Sequence, residues 1–243
     1  MKEHPVVKIL GVRVDKVTKE QALQAFEEML SGSRCELIVT PNAEIVEKAS
    51  KTPKLKRIVN EEAALVIPDG VGLIYASRLK GDPIQEKVAG IDFARSALER
   101  CAALGRSVYL LGSKPGVARD AAANLQKEIP GLLVAGFRDG YFKAEEEASV
   151  VAEINASGAD FLCVALGSPK QEYFVIDHRD SLKPKAAAGL GGSLDIWSGN
   201  LNRAPEFYID HGLEWLYRMM QEPKRLKRLP ALPIFLIKAA LRR

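Results

Sequence analysis

Cysteine and histidine are scarce in this sequence, with three of each among 243 residues. Cys35, Cys101 and Cys163 have no CxxC spacing, and each lies in an apolar or helical run. An odd number of such cysteines is typical of reduced core thiols, and it argues against a disulfide framework or a zinc site. The histidines have no metal-ligand spacing either, so we expect no metal centre and no cofactor.

Long hydrophobic runs are also missing. The longest strongly apolar stretch near the end, "LPALPIFLI", covers residues 229–237, well short of the ~20 residues that a membrane-spanning helix needs. The N-terminal sequence "MKEHPVVKILGV" is too polar, and too soon interrupted by Pro5, for a signal peptide. The sequence therefore predicts a cytoplasmic protein without a transmembrane segment.

Charge is distributed unevenly along the chain. From Arg218 to Arg243 there are eight Lys/Arg and one acidic residue, so this tail carries +7, whereas the rest of the chain carries −3. A basic tail on a nearly neutral body predicts a polyanionic partner for the tail alone. Apolar residues between the basic ones are typical of an interfacial membrane segment. A solvated basic helix packed on the body by its apolar side is the alternative.

Apolar extended runs alternate with helical patterns over most of the length. The strand-like runs are "VVKILGVRV", "CELIVT", "AALVI", "SVYLLG", "LLVAGF", "DFLCVALG" and "KAAAGLGG". Helical patterns lie between them, and Thr18 with Gln21 predicts a capping box at the start of the first. This alternation predicts an α/β fold, a Rossmann-like and mostly parallel sheet with helices on both faces. We assign residues 1–195 to this body and residues 196–243 to a C-terminal helical appendage, because no strand-like run follows.

Several predicted strands end in Gly-rich sequences, at the edge where open parallel sheets bind ligands. Both "LLGSKPG" (110–116) and "ALGSPKQE" (165–172) place Gly-Ser after a strand and Pro near a helix start. Backbone N–H groups of such turns favour a phosphate. Each turn alone is more often an ordinary tight turn, but the two together favour a diphosphate-bearing nucleotide. Neither matches GxGxxG or GxxxxGK[ST], which argues against a nucleotide-dependent oxidoreductase or a P-loop.

Asp69 lies between Pro68 and Gly70, at the end of another predicted strand. Two interpretations stay open for it. It is a helix N-cap, or it is a general base, because an ionised carboxylate accepts a proton from an attacking sugar hydroxyl. Thr40 and Asn42, at the end of the preceding strand, are its expected polar neighbours.

Eight motifs together resemble one protein family. They are "TPNAEIVEKA", "IPDGVGLIYASR", "GID", "LLGSKPGVA", "RDGYF", "LGSPKQE", "GLGGSLDIWSG" and "RAPEF…GLEWLYRMMQEPKRLKR". In this order they are similar to the WecG/TagA/CpsF glycosyltransferase family, over about residues 6–230. The resemblance implies transfer of an N-acetylmannosamine-type sugar from a UDP donor to polyprenyl-diphosphate-linked GlcNAc, on the inner face of the cell membrane. In the wall-teichoic-acid branch, the product is the β-1,4-linked disaccharide lipid.

The same resemblance implies roles for individual residues. Asp69 matches the general base, Thr40 and Asn42 match polar positions near the acceptor, and Gln171 matches a residue that meets UDP. The further donor-site candidates are Gly112, Ser113, Asp139, Gly140, Tyr141, Gly167, Lys170 and Gly191. Candidates for contact with the diphosphate or the lipid are Lys87, Arg203, Arg218, Arg225 and Arg228. Where Lys87 stands the family often has arginine, and lysine lacks the bidentate fork suited to phosphate.

The resulting hypothesis is an inverting single displacement without a metal ion, because the sequence contains no DxD motif. The expected partners are the UDP-sugar, the lipid-linked acceptor, an anionic membrane surface and a second copy bound through the body, but no nucleic acid. An N-acetylmannosamine uronic acid or glucose donor is the alternative within the family. A non-catalytic nucleotide-binding module at the membrane is the alternative of another class. For Trp197, Tyr208 and Trp215 we expect core positions, and Asp195 with Arg203 forms a candidate structural pair.

Overall fold

A parallel sheet forms the centre of the protein, whose computed structural model describes residues 4–221 and 231–241. The described strands are β1 (Val6–Ile9), β2 (Val12–Asp15), β3 (Glu36–Val39), β4 (Leu65–Val66), β5 (Ser107–Gly112), β6 (Leu133–Arg138), β7 (Phe161–Ala165) and β8 (Ala186–Gly189). Strands β3 to β8 pair in the order β4-β3-β8-β7-β5-β6, and all five pairings are parallel. The predicted α/β architecture with a parallel sheet is confirmed.

Helices cover both faces of this sheet. The described helices are α1 (Lys19–Leu30), α2 (Ala43–Lys51), α3 (Pro53–Arg57), α4 (Val71–Leu79), α5 (Gly90–Ala103), α6 (Val117–Glu128), α7 (Glu147–Ser157), α8 (Lys170–Asp177), α9 (Ser193–Trp197), α10 (Glu206–Asp210), α11 (Glu214–Gln221) and α12 (Ala231–Leu241). In β7, Leu162 and Val164 join one hydrophobic cluster, whereas Phe161 and Cys163 join another. Because successive strand residues point to opposite faces, a strand buried on both sides is apolar throughout.

The N-terminal run "VVKILGVRV" folds differently from the single strand that its sequence predicts. It forms an antiparallel hairpin of β1 and β2, separate from the main sheet, with Val7 opposite Val14. The chain reverses at Leu10 and Gly11, whose φ angles are 53° and 76°. These left-handed conformations end a strand, so the chain turns inside the apolar run.

The first helix begins as predicted. The Thr18 side chain accepts a hydrogen bond from the Gln21 N–H at 3.2 Å, and Gln21 Oε1 accepts one from the Thr18 N–H at 2.9 Å. Both halves of the capping box are therefore present. Further along, helix α3 continues into a π-helical turn, Ile58–Glu62.

The C-terminal helix α12 packs against α4 and α2. Phe235 and Ala239 are both 0% exposed and belong to the same hydrophobic cluster as β3 and β4. A Cβ atom on Gly72 of α4 would lie 2.7 Å from Leu232 Cδ1. A larger residue at this position would therefore force the Leu232 side chain to shift.

An ion pair also joins α12 to the body. Lys238 pairs with Glu47 of α2, which pairs with Lys51 as well. The hydrogen bonds from Lys238 and Lys51 hold the pKa of the Glu47 carboxyl below its usual value. Within the described ranges, no helix combines the length and the apolar character that crossing a bilayer requires. The boundary at residue 195 stays a prediction.

Candidate functional site

A cavity of about 230 Å³ opens where β3 and β4 end. Parallel pairing continues past both strands, because the Ile67 N–H donates to Val39 O at 2.8 Å and the Asp69 N–H to Pro41 O at 3.1 Å. The "TPN" and "PDG" motifs thereby lie side by side. The described lining comprises Thr40, Asn42, Ala43, Glu44, Glu47, Asp69, Gly70, Val71, Gly72, Lys87, Ala89, Gly90, Ile91, Leu190, Ser193, Gly212, Glu214, Trp215 and Leu232.

Thr40 and Asn42 both support the wall of this cavity. Thr40 is 8% exposed, and its Oγ1 donates to the Gly189 carbonyl at 2.8 Å. Asn42 is the N-cap residue of α2, where its Oδ1 accepts from the Ile45 N–H at 3.0 Å. The side-chain oxygen of Asn42 is thus used by the helix. Its side-chain NH2 group is the one with which Asn42 would donate a hydrogen bond to a ligand.

Asp69 is half-buried in the cavity lining, immediately before α4. The N-cap residue of this helix is Gly70, one position after Asp69. The carboxylate therefore belongs to the turn between β4 and α4, at the edge where ligands of parallel sheets bind. Its role as the general base stays a prediction.

The C-terminal helices complete the cavity on one side. Lys87 Nζ donates to Glu214 Oε2 of α11 at 3.2 Å, and the two side chains are 24% and 21% exposed. Trp215 of α11 and Leu232 of α12 also line the cavity. The contact between Lys87 and Glu214 thus joins two segments that are 127 positions apart in the sequence, at the site itself.

The described lining is acidic overall. It contains the carboxylates of Glu44, Glu47, Asp69 and Glu214, against the single ammonium group of Lys87. Arg218 lies in α11, but its side chain is outside the described part of the structure, as are Arg225 and Arg228 altogether. The role predicted for these three arginines stays a prediction.

The first Gly-Ser turn lies at the same edge of the sheet but is joined to its neighbours by hydrogen bonds. The Ser113 N–H donates to Ala165 O at 3.0 Å, its carbonyl accepts from the Gly140 N–H at 2.9 Å, and its Oγ donates to Asp195 Oδ2 at 2.8 Å. One of the backbone donors that this turn would offer a phosphate is therefore already used. Gly112 precedes it with a φ of 132°.

The other donor-site candidates also lie at the ends of β6, β7 and β8. Asp139 Oδ1 accepts from the N–H of Tyr141 at 2.9 Å, and Tyr141 is 70% exposed. Gly167 and Lys170 are exposed, whereas Gln171 is 2% exposed. Among the described lining residues of the cavity none comes from this group, and the strand β6 that precedes Asp139 is at the opposite edge of the sheet from β4. Their contacts with the donor stay predictions.

Arg203 and Asp195 have partners other than each other. Arg203 Nη2 lies 2.6 Å from Asp92 Oδ1, in the first turn of α5. Asp195 accepts from Ser113, as described above. The candidate structural pair is therefore wrong, because the "GID" motif supplies the carboxylate for Arg203. Tyr208 packs against Tyr217, with ring centroids 5.2 Å apart and ring planes inclined by 52°.

Some lining residues escape sequence reasoning. Glu214 and Trp215 stand in the "GLEWLYR" motif, but a core position is the default for tryptophan. Trp197 does pack against the core, whereas Trp215 lines the cavity. For Glu44 and Glu47 the sequence signal is their spacing. They follow the "TPN" motif and are three positions apart, which places them on the same face of a helix.

Comparison with known proteins shows the family of this chain. The sequence profile of the "Glycosyl transferase WecG/TagA/CpsF family" matches residues 7–243. A Bacillus spizizenii protein named N-acetylglucosaminyldiphosphoundecaprenol N-acetyl-beta-D-mannosaminyltransferase is 37% identical over 196 residues, which are 81% of this chain and 75% of the relative. A Staphylococcus aureus protein of the same name is 32% identical over 236 residues, 96% of this chain and 92% of the relative. This chain belongs to the WecG/TagA/CpsF family of glycosyltransferases.

Proposed function

We propose that this protein transfers N-acetylmannosamine from UDP-N-acetylmannosamine to polyprenyl-diphosphate-linked GlcNAc. The product is the β-1,4-linked disaccharide lipid of wall teichoic acid synthesis. One observation carries the proposal: Thr40, Asn42 and Asp69 line one cavity, at the ends of two adjacent parallel strands. Relatives whose names specify this acceptor and this sugar match the chain over four fifths or more of its length.

In this proposal Asp69 is the general base. Its carboxylate takes the proton of the acceptor hydroxyl, whose oxygen forms a bond to the anomeric carbon of the donor. The bond from that carbon to the UDP oxygen breaks on the opposite face, so the configuration inverts. Thr40 and the Asn42 amide orient the acceptor beside the base.

The departing diphosphate needs cationic groups, because negative charge grows on it during the reaction. Lys87 is the cation that the described lining supplies. Arg218, Arg225 and Arg228 complete the set in this proposal, as the family resemblance implies. The sequence has no DxD motif, and we propose that the transfer needs no metal ion.

The names of the relatives favour a neutral donor sugar. They specify transfer of N-acetyl-beta-D-mannosamine, which carries no carboxylate. No extra cationic pocket that would select a uronic acid stands out in the sequence. We therefore expect faster transfer from UDP-N-acetylmannosamine than from its uronic acid, measured as kcat/KM with each donor and the same acceptor.

The membrane-facing surface in this proposal is one side of α12. Leu232, Phe235 and Ala239 point to the body, whereas Ile234, Ile237 and Leu241 are 43%, 61% and 79% exposed. An apolar helix face beside the cavity suits insertion into the membrane interface. The basic residues of the tail would add attraction to anionic lipids of the inner leaflet.

Vesicle sedimentation tests this surface. The wild type is expected to sediment with phosphatidylglycerol vesicles, and more weakly with phosphatidylcholine vesicles. Replacing Ile237 and Leu241 together by aspartate should abolish binding to both. Retained binding of this variant would show that α12 is not the attachment surface.

Self-association through the body is also proposed. The strand β6 is at the edge of the sheet, and its Leu133 and Phe137 are 52% and 44% exposed. An exposed apolar edge strand is a template for pairing with another copy. Light scattering of the wild type and of Phe137→Asp, which should be monomeric, tests this.

The function itself is tested by sugar transfer to a polyprenyl-diphosphate-GlcNAc analogue, with a chelator present. The wild type should turn over, and Asp69→Asn should be slower by ~10²-fold or more, because the amide cannot accept the proton. Asp177→Asn is the matched control, since Asp177 is an exposed carboxylate paired with Lys54. Turnover that survives Asp69→Asn would show that Asp69 is not the general base. No turnover with any UDP-sugar would favour a non-catalytic nucleotide-binding module.

A further inference from the structure

A buried carboxylate lies behind the cavity without being part of its lining. Glu172 of α8 is 0% exposed, and its Oε2 has no hydrogen-bond partner among the described residues. Burial raises the pKa of the Glu172 carboxyl, against the hydrogen bond from Gln171. A carboxylate is costly to bury unless its hydrogen bonds are satisfied, so its place needs a reason.

The Gln171 amide is held between Glu172 and the loop that follows β8. Gln171 Nε2 donates to Glu172 Oε1 at 3.0 Å, and Gln171 Oε1 accepts from the Gly191 N–H at 3.2 Å. These two hydrogen bonds are both possible in only one orientation of the Gln171 amide. In the opposite orientation two N–H donors would meet at Gly191 and two acceptors at Glu172.

This amide also lies against the backbone of β8. A Cβ atom on Gly189 would be 2.5 Å from Gln171 Nε2, so there is no room for a side chain there. The Gly189 carbonyl in turn accepts from Thr40 Oγ1 at 2.8 Å. A continuous set of contacts therefore runs from Glu172 through Gln171 to both Gly191 and the Thr40 wall of the cavity.

We propose that Glu172 is a positioning residue for the cavity. By fixing the Gln171 amide, it holds Gly191 and thereby the loop between β8 and α9. Leu190 and Ser193, on either side of the glycine pair in that loop, line the cavity. Glu172 itself touches no substrate. Only the effect on turnover rests on the proposed function, since the effect on the loop is a property of the free protein.

Amide hydrogen exchange in the protein without ligand tests the effect on the loop. In Glu172→Met, which removes the acceptor at similar volume, exchange of the Gly191 N–H should be ~10-fold faster or more, because its acceptor is no longer fixed. In Glu172→Gln, which retains an acceptor oxygen, exchange should stay within ~3-fold of the wild type. The N–H groups of Ala187 and Ala188 in β8 are the internal reference and should not change.

Transfer kinetics give the second readout. Glu172→Met should raise the KM of the donor or acceptor ~10-fold while kcat changes less, and Glu172→Gln should restore it. If Glu172→Met fails to fold, Gln171→Met removes the same link from the other side and should release Gly191 equally.

Two results would overturn the proposal. One is unchanged exchange at Gly191 in Glu172→Met, and the other is a uniform increase that includes Ala187 and Ala188, which is a general loss of stability. A wild type that transfers no sugar would contradict the proposed function instead, and the exchange comparison would still decide the role of Glu172.

Discussion

The two halves of the sheet's carboxyl edge use similar sequences in different ways. At β4 and β3, the turns that carry Asp69 and Asn42 open into a cavity, and α11 and α12 supply its other side. At β7, β5 and β6, the turn at Ser113 is joined by hydrogen bonds to Ala165, to Gly140 and to Asp195 of α9. Hydrogen bonds occur in both halves, so the difference is the space in front of the turns: a cavity lies before Asp69 and Asn42, whereas Ser113 is bonded directly to the ends of the neighbouring strands.

Phe235→Ala should have the largest effect on the half of the edge that contains the cavity. Phe235 is 0% exposed in α12, and truncation of a buried Phe costs ~3–5 kcal/mol. We expect α12 to detach, the C-terminal region to become susceptible to trypsin, and transfer to fall ~10-fold or more because the cavity loses one side. Leu104→Ala is the control, since Leu104 is 52% exposed and lies outside α12. Full turnover with a detached α12 would show that the cavity does not need this helix.

Lys87→Met should have the next largest effect. It removes the ammonium group that the described lining offers to a diphosphate, so we expect kcat/KM to fall ~10-fold or more. Lys87→Arg should match or exceed the wild type, because its planar fork suits phosphate.

A double-mutant cycle of Lys87→Met with Glu214→Gln then measures the pair itself. Because both side chains are partly exposed, the pair should contribute less than ~1 kcal/mol to the free energy of unfolding. Normal kinetics of Lys87→Met would exclude Lys87 from the binding of the diphosphate.

In the half of the edge formed by β5, β6 and β7, Ser113→Ala should change the stability of the protein more than its catalysis. It removes the hydrogen bond to Asp195 and should lower the free energy of unfolding by ~1 kcal/mol. The KM of the donor should change less than ~3-fold if this half is structural. A tenfold higher KM at unchanged stability would instead support the donor contact that the family resemblance implies for Ser113.

The smallest effect is the pH dependence of the Tm difference for Glu172→Gln. Because burial raises the pKa of Glu172 in the folded protein, the native state holds this proton more tightly than the unfolded state. Its contribution to stability is therefore lost as pH rises through the raised pKa. Glutamine is neutral at any pH, so the variant does not lose this contribution. The Tm of the variant minus that of the wild type should therefore be larger at pH 8 than at pH 5, by the few degrees that correspond to a difference of ~1 kcal/mol. Equal gains at both pH values would contradict the raised pKa.

The centre of the sheet is predictable from local patterns because β5, β7 and β8 are buried on both faces. The runs "SVYLLG" and "DFLCVALG" match β5 and β7, and the Thr18 capping box is present. The single N-terminal strand is wrong because the chain reverses at Leu10 and Gly11, inside a sequence run that is apolar on both sides of the turn. The pairing of Asp195 with Arg203 is wrong because two nearer partners, Ser113 and Asp92, are invisible to sequence spacing.

Local sequence therefore determined the alternation of strands and helices and the polar residues at each strand end, since periodicity and burial are properties of neighbouring residues. It also placed Thr40, Asn42 and Asp69 among the candidates. Tertiary structure alone decided which strand ends share a cavity, because the order β4-β3-β8-β7-β5-β6 is set by packing across the whole sheet. It likewise brought Glu214 to Lys87 across 127 positions, a contact that only the docking of the C-terminal helices on the body creates.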